Sequence, residues 1–577
     1  MQNPFANEFL SLEIPSHSVG KSSLDSCAHF FAASTHSEAV LDRYMSVLVA
    51  SFLGGSSGIH AAPASTARFH GIGIPEKTAD TASVAAYLSV LRTQVVDGAT
   101  RTAAPRMVGH MATALPYFHR PLARLLVALN QNMVKVETAA TFTLLERQTL
   151  GMLHNAFYAN TPQWYRTHLH SPEHCLGLVC SGGTVANITA LWTARNAALC
   201  ATKGFGGVDR EGLAVSLLHH RYKGAVVIGS QLLHYSFRKA VDLLGLGENN
   251  LRLIPTDQHD RIRTDLLQHA INEYKLKQYL VVACVGIAGT TEFGSIDDLQ
   301  KMGAICKQAG VHFHVDAAWG GPLIFSQENA HKLVGIELAD SITVDGHKQL
   351  YTPMGLGILL FKSPSQATSI CKTANYVIRA TSMDLGKFTL EGSRPANILY
   401  LHASLSILGL DGLSVLTTRS CTLVRQLYTR LKQHPSMCFD VIHEPQSNIL
   451  LYRYLPSPYR TNHNSGLPPT PLENSLYNTY VVTIQERMSL TDTFVSRTKA
   501  MRNGHWIDVF RVVVANPLTQ WADLEACLMM QIEIGACVER EFENRRNAEL
   551  VNRQNAELVM GKYGQIDEWW PGWPFDI

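Results

Sequence analysis

Two stretches decide how this chain folds: His314-Val-Asp-Ala-Ala-Trp319 and, shortly after it, Asp345-Gly-His-Lys348. Each follows a short apolar run, Val311-His-Phe-His-Val315 and Ser341-Ile-Thr-Val344, of the kind that forms a buried strand. Asp316 therefore closes a strand. A carboxylate at the C-terminal end of a parallel strand faces the crevice where open α/β sheets bind ligands; capping the following helix is its other common use. Lys348 arrives one strand later, beside His347. An amine held out of water near cationic groups loses basicity and can form imines.

Outward from this pair the same alternation continues. Ala225–Gly229, Leu251–Ile254 and Tyr279–Val285 read as further buried strands, with helical stretches over Thr264–Tyr274 and Ile296–Gln308 between them. Apolar strands alternating with helices predict an α/β fold with a mostly parallel sheet covered on both faces. Residues 105–375 form this large domain, preceded by an N-terminal arm over 1–104. A smaller α+β domain is expected over 376–540, with a long helix over Leu401–Leu431 and strands at Ile449–Arg453, Thr479–Thr483 and Val509–Val514. Within it, the Pro- and Asn-rich stretch Leu455–Pro471 reads as a mobile surface loop. A tail over 541–577 carries the tandem Asn544–Val551 and Asn552–Val559, read as a solvated helix, and an aromatic end from Glu568.

Composition narrows the classes of function. The 577 residues are 46% hydrophobic and 17% charged with a net charge of +2, so neither nucleic acid nor an acidic membrane is an expected partner. The first residues lack a cationic start followed by an apolar run, and no uninterrupted apolar segment reaches the roughly 18 residues of a membrane span. Eleven cysteines without a CxxC pair fit reduced thiols of a cytoplasmic protein, and the 25 histidines show no metal-ligand spacing.

A third segment completes the chemistry. Cys180-Ser-Gly-Gly-Thr-Val-Ala-Asn187 is a glycine turn leading into a helix read over Ile188–Leu199. Glycine lets the backbone approach an anion, and a helix start directs N–H groups at it, so Gly183 and Thr184 are candidate phosphate contacts. A phosphate turn, a carboxylate for a protonated ring nitrogen and an imine-forming lysine together are what pyridoxal phosphate requires.

Val315–Gly321 and Ala339–Lys348 resemble the group II pyridoxal-phosphate-dependent amino acid decarboxylases, from about Pro105 to about Pro517. The resemblance implies the fold type I architecture of the aspartate-aminotransferase-like transferases, with the cofactor as a Schiff base on Lys348. It also implies a homodimer and an amino acid substrate. It places His234 over the cofactor ring, Thr291 beside it, Ala318 beneath it and His347 near the phosphate; His234 or a water is the fallback proton donor where the loop tyrosine is absent. Arg511 matches the arginine that reads a substrate carboxylate. Gly109–Phe118, Leu129–Glu137, Leu145–Gln148 and Leu390–Pro395 are most similar to the bacterial pyridoxal-dependent aspartate 1-decarboxylases. His110, Met111 and Ala112 stand where the glutamate enzymes carry a glutamine-containing substrate triplet. The implied reaction is α-decarboxylation of an acidic amino acid, aspartate to β-alanine for pantothenate synthesis. Glutamate and cysteine sulfinate are alternatives, and an aromatic decarboxylase or an oxidative deaminase is remoter. One departure stands out: Met383 occupies the position of the family's mobile-loop tyrosine, with Tyr376 out of register.

Overall fold

The computed structural model describes residues 35–55, 59, 69–76, 78–374, 381–460 and 469–563. Its centre is a seven-stranded sheet of β1 (Gly177–Cys180), β2 (Gly224–Ser230), β3 (Leu251–Ile254), β4 (Tyr279–Ile287), β5 (His312–Asp316), β6 (Ser341–Asp345) and β7 (Gly357–Phe361), in the order β1-β7-β6-β5-β4-β2-β3. The pairs from β3 through β6 are parallel, and β7 runs antiparallel to both β6 and β1. β6 and β7 are buried throughout and β4 from Leu280 onward. Runs of Val, Ile, Leu and Ala are what strands covered on both faces need. The helix Gly183–Ala198 packs across β1, β4, β5, β6 and β7. Because β2, β4, β5 and β6 run the same way, their C-terminal ends open on one edge of the sheet, and the residues after each end converge there.

Two expectations change at helix starts. The helix read from Ile188 begins at Gly183, so the glycine turn is itself the helix N-terminus. The helix read from Ile296 begins at Leu299. Ile296 instead bridges to Ala288, and buried Asp297 accepts the N–H groups of Ile262 (2.7 Å) and Ile287 (2.9 Å). Asp298 then caps the helix by accepting from Lys301 N–H at 3.0 Å.

A second, antiparallel sheet comprises β8 (Phe439–Val441), β9 (Ile449–Tyr454), β10 (Ser496–Arg502) and β11 (His505–Val513), in the order β10-β11-β9-β8. The strand expected at Thr479–Thr483 is wrong: these residues lie inside the helix Pro471–Met488. Local β-propensity loses there to a strong helix start and to helical periodicity. Thr470 and Glu473 form a reciprocal capping box with Pro471 in the first turn, and Tyr477, Tyr480, Val481, Ile484 and Met488 bury one face. The long helix appears as Ile398–Ala403 and Gly409–Lys432, joined by a π-helical turn over Ser404–Leu408. It is long and apolar enough to cross a membrane by composition alone. Yet Leu401 and Leu413 pack into the large core and Leu423, Val424, Leu427 and Leu431 into the small one, as in a core helix.

In the N-terminal region, helices Thr35–Gly54 and Thr81–Val90 enclose Val40, Tyr44, Leu48 and Leu88, and Arg124 pairs with Glu38 (3.2 Å) and Asp42 (2.7 Å). Of the stretch read as a surface loop, Ser457–Tyr459 forms a short turn and Arg460 pairs with Glu539 at 3.0 Å, while 461–468 lie outside the described residues. The tandem repeat continues the helix Trp521–Tyr563, with 544–549 exposed; residues 568–577 lie outside the described residues.

A buried ion pair and a buried histidine tie these parts together. Glu146 and Arg394 form a bidentate pair (2.7 and 2.8 Å) with side chains 0% and 7% exposed. His154 donates from Nε2 to the Phe361 carbonyl (2.9 Å) and accepts the Tyr165 hydroxyl at Nδ1 (2.8 Å), and burial pushes its pKa down to about 4. Glu146→Gln leaves a buried guanidinium uncompensated and is expected to cost about 3–5 kcal/mol, read as a lower urea midpoint. His154 is held neutral in the fold, so its contribution is complete above the unfolded value near 6.5 and is lost as pH falls from there toward about 4. That loss is of order 3 kcal/mol. Urea titrations between pH 7 and 4.5 should show this limb, and His154→Gln should flatten it.

Candidate active site

The strand ends converge on a cleft of about 370 Å3. Of the residues singled out in the sequence, His110, Met111, Ala112, Gly183, Thr184, His234, Thr291, Asp316, Ala318, His347 and Lys348 all line it. Arg511 stands just behind Thr291, and Met383 does not line the cleft of its own chain.

Lys348 follows β6 by three residues, and its Nζ donates to Asp345 Oδ2 at 2.8 Å. Asp345 is 2% exposed and its Oδ1 has no partner, so the amine is the main compensation for that charge. The glycine turn lies directly above. A Cβ at Gly183 would come within 2.8 Å of Asp345 Oδ2, and one at Gly357 within 2.4 Å of the Gly182 carbonyl carbon. Neither position admits a side chain. Ala186 N–H is bonded to Gly182 O at 3.1 Å, and the preceding amides of the first turn face outward, as at any helix start. His347 sits beside this turn, its Nδ1–H given to the Leu356 carbonyl (2.9 Å) and its Nε2 3.8 Å from Asp345 Oδ2. An anion fits here.

Asp316 is 7% exposed at the end of β5. Its Oδ1 accepts from Ala318 N–H (3.1 Å) and its Oδ2 from Asn187 Nδ2 (2.9 Å). Two donors converge on the carboxylate, an arrangement suited to a cationic ring nitrogen. Asn187 also donates to Ser236 Oγ (3.1 Å), and Ser236 Oγ contacts His234 Nδ1 (2.9 Å). Burial lowers the His234 pKa, the nearby Asp316 opposing and Lys348 reinforcing the shift. The ring is neutral at pH 7.

The opposite wall belongs to the second sheet. Residues 107–109 run beside it: Met107 bridges Phe494, Val108 N–H donates to Phe494 O (3.0 Å) and its carbonyl accepts from Val513 N–H (2.7 Å). That seam sets His110 at the cleft mouth, where its Nδ1 accepts from Ala112 N–H at 3.0 Å. Arg511, on β11, is 8% exposed; its Nε donates to the Thr291 carbonyl (2.8 Å) and its Nη2 is buried without a partner. Burial pulls the guanidinium down to about 10, Glu292 opposing; burial also lowers His110, and the Arg511 charge adds to that shift. An unpaired, desolvated guanidinium edge beside a cleft is suited to a carboxylate.

Asn448 fastens the two walls. It accepts from Trp319 Nε1 (3.0 Å) and donates to Gln349 Oε1 and the Val514 carbonyl (both 2.9 Å). Asn187, Ser236, Asp345 and Asn448 escaped the sequence reading of roles. Asn187 and Asp345 lie inside the quoted motifs, but only the fold shows what their side chains touch. The segment holding Met383 is fixed elsewhere: Arg147 donates twice to the Met383 carbonyl (3.1 and 3.3 Å), and Asp384 accepts from Val136 N–H (2.7 Å). Tyr376 lies outside the described residues.

Comparison with known proteins gives a consistent picture. Residues 71–455 match the Pyridoxal-dependent decarboxylase conserved domain. The chain is 40% identical over 450 residues to an aspartate 1-decarboxylase of Aliivibrio fischeri, covering 77% of this chain and 82% of that one. It is 28% identical over 303 residues to an aromatic-L-amino-acid decarboxylase of Bacillus atrophaeus, covering 52% and 59%. Among solved structures, mouse CSAD aligns with a TM-score of 0.75 at 22% identity, over 87% of this chain and 99% of that chain. The glutamate decarboxylase domain of a Vibrio parahaemolyticus protein aligns with a TM-score of 0.70 at 20% identity, over 89% and 100%. At these identities the structural likeness concerns the fold.

Proposed function

The chain belongs to the pyridoxal-dependent decarboxylase family, and from that premise we propose that it removes the α-carboxyl group of L-aspartate, giving β-alanine and CO2. It is a pyridoxal-phosphate-dependent carboxy-lyase of the fold type I architecture. The observation that carries the acidic substrate is the buried, unpartnered Nη2 of Arg511 at the cleft. The 40% identity with an aspartate 1-decarboxylase supports aspartate over glutamate or cysteine sulfinate.

Each residue takes a role from its place. Lys348 would tether the cofactor through Nζ, with Gly183, Thr184 and His347 around its phosphate. Asp316 would face the ring nitrogen, and His234, Thr291 and Ala318 would flank the ring. When bound, pyridoxal phosphate supplies an electron sink conjugated with the substrate nitrogen. Arg511 reads the side-chain carboxylate through two N–H groups, assisted by His110, with Met111 and Ala112 bounding the pocket. This clamp fixes the orientation of the α-carboxyl group, and orientation of that kind is a large part of the catalytic effect. His234 on the cleft wall, when protonated, or a water that it orients, would supply the proton to Cα.

β-Alanine produced here would serve pantothenate synthesis. The cytoplasm is the compartment that fits, since the ten cysteines among the described residues are all free thiols. A homodimer is the expected assembly. An apolar groove of about 940 Å3 lined by Leu48, Phe52, Leu53, Leu91 and Leu115 is a surface that a second copy could cover.

Purified holoenzyme should release CO2 from aspartate faster than from glutamate or cysteine sulfinate, and Lys348→Ala should abolish turnover. Absence of CO2 from all three substrates rules the reading out. Arg511→Gln should raise KM for the acidic substrate by roughly 10- to 100-fold, the loss of a charge-assisted hydrogen bond.

A further inference from the structure

One run of hydrogen bonds crosses the buried half of the sheet and ends at the cleft. Gln366 Nε2 lies 3.3 Å from His312 Nδ1, His312 Nε2 is 2.9 Å from Ser341 Oγ, and Ser341 Oγ is 2.9 Å from His314 Nδ1. His314 Nε2 is 3.1 Å from Asn187 Oδ1, and Asn187 Nδ2 reaches both Asp316 Oδ2 and Ser236 Oγ. Ser341, His314, Asn187 and Ser236 are all 0–1% exposed.

The proton positions along this run are determined by one charge. Asp316 accepts only, so Asn187 must turn its amide nitrogen to Asp316 and its oxygen to His314. His314 must then donate from Nε2, which makes its Nδ1 an acceptor for the Ser341 hydroxyl. Ser341 in turn accepts from His312 Nε2–H, and Gln366 supplies His312 Nδ1. Burial pushes the His314 pKa down to about 3, so this histidine stays neutral and gives away a single proton. On the other branch, the second Nδ2 hydrogen of Asn187 occupies a lone pair of Ser236 Oγ. Ser236 N–H donates to His234 Nδ1 at 3.3 Å, so Nδ1 is an acceptor and the Ser236 hydroxyl, 2.9 Å away, donates there too. The His234 proton is thereby left on Nε2.

We propose that Asn187 is the positioning residue of the site, holding with one amide both the Asp316 carboxylate and the Ser236 hydroxyl that meets His234. A donor on Asp316 Oδ2 favours the ionised carboxylate, which in turn favours a protonated ring nitrogen on the cofactor. A hydroxyl donated to His234 Nδ1 fixes the ring as an Nε2–H donor. The two groups that flank the cofactor are thus coupled, although they come from different strands. The proposal rests on the assignment of Asp316 to the ring nitrogen.

The test compares two ligands on the full-length protein: pyridoxal phosphate and its carbocyclic analogue, in which CH replaces the ring nitrogen. Asn187→Asp and the smaller Asn187→Ser are titrated with both, and circular dichroism melts identify the folded variants. The expected result is about a tenfold or greater loss of affinity for pyridoxal phosphate, the scale of a hydrogen bond to a charged group, with analogue affinity unchanged within about twofold. Equal losses for both ligands would make Asn187 a packing residue and overturn the proposal. Asp316→Asn separates the underlying assignment: if it too treats both ligands alike, Asp316 is not the partner of the ring nitrogen, and both readings fall. If Asp316→Asn discriminates and neither Asn187 variant does, only the present proposal falls. In 15N-histidine spectra of the cofactor-free protein, wild type should show His234 protonated at Nε2, and Ser236→Ala should give a tautomer mixture. An unchanged tautomer overturns the Ser236 branch.

Discussion

An anionic carboxylate buried at the end of β5 is the constraint around which the rest of the site is arranged. Burying a charge is costly unless hydrogen bonds and a counter-charge compensate it. Asp316 has its donors in Ala318 N–H and Asn187, and among the described residues no cationic side chain is bonded to it. On the proposed assignment, a protonated pyridine nitrogen would bring that positive charge. Asp345, one strand over, is compensated differently, by Lys348 at 2.8 Å. Two carboxylates at adjacent strand ends thus differ, one paired with a lysine and one bonded to amide donors alone.

The two sheets divide the labour of the site. The parallel sheet brings the glycine turn, Asp316, Asp345 and Lys348 to one edge because its strands share a direction. The antiparallel sheet contributes Arg511 from β11 and positions His110 through the seam along residues 107–109. Asn448 and the bond from Arg511 to the Thr291 carbonyl keep the two parts in register. The cleft is therefore a junction, and its width is set by side-chain amides and a guanidinium rather than by a single rigid core.

Much of this was legible in the sequence, for a physical reason. Strands buried on both faces are continuous apolar runs, so β2 to β6 could be read directly, and the motif residues fall at their ends. Thr479–Thr483 misled because its β-branched and aromatic residues also fit one face of a helix; the deciding signal, the Thr470/Glu473 box, lay outside the run. The roles of Asn187 and Ser236 could not be read, since nothing in their spacing tells that one amide spans Asp316 and Ser236. Met383 matched a family position by alignment, yet the fold ties its carbonyl to Arg147. Sequence register does not determine which way a loop turns.

The seam along residues 107–109 bears on how such an enzyme can change over evolutionary time. On the proposed assignment, the side chains that recognise the substrate sit on or beside one sheet, and those that hold the cofactor sit at the strand ends of the other. Mutations at positions 110–112 or 511 can therefore explore new ligands without disturbing the strand ends that make any turnover possible. Backbone pairing, which does not depend on side-chain identity, keeps the recognition segment in place throughout such a search. A duplicate gene would lose its old specificity well before it lost its chemistry, and that leaves time for a new one to arise.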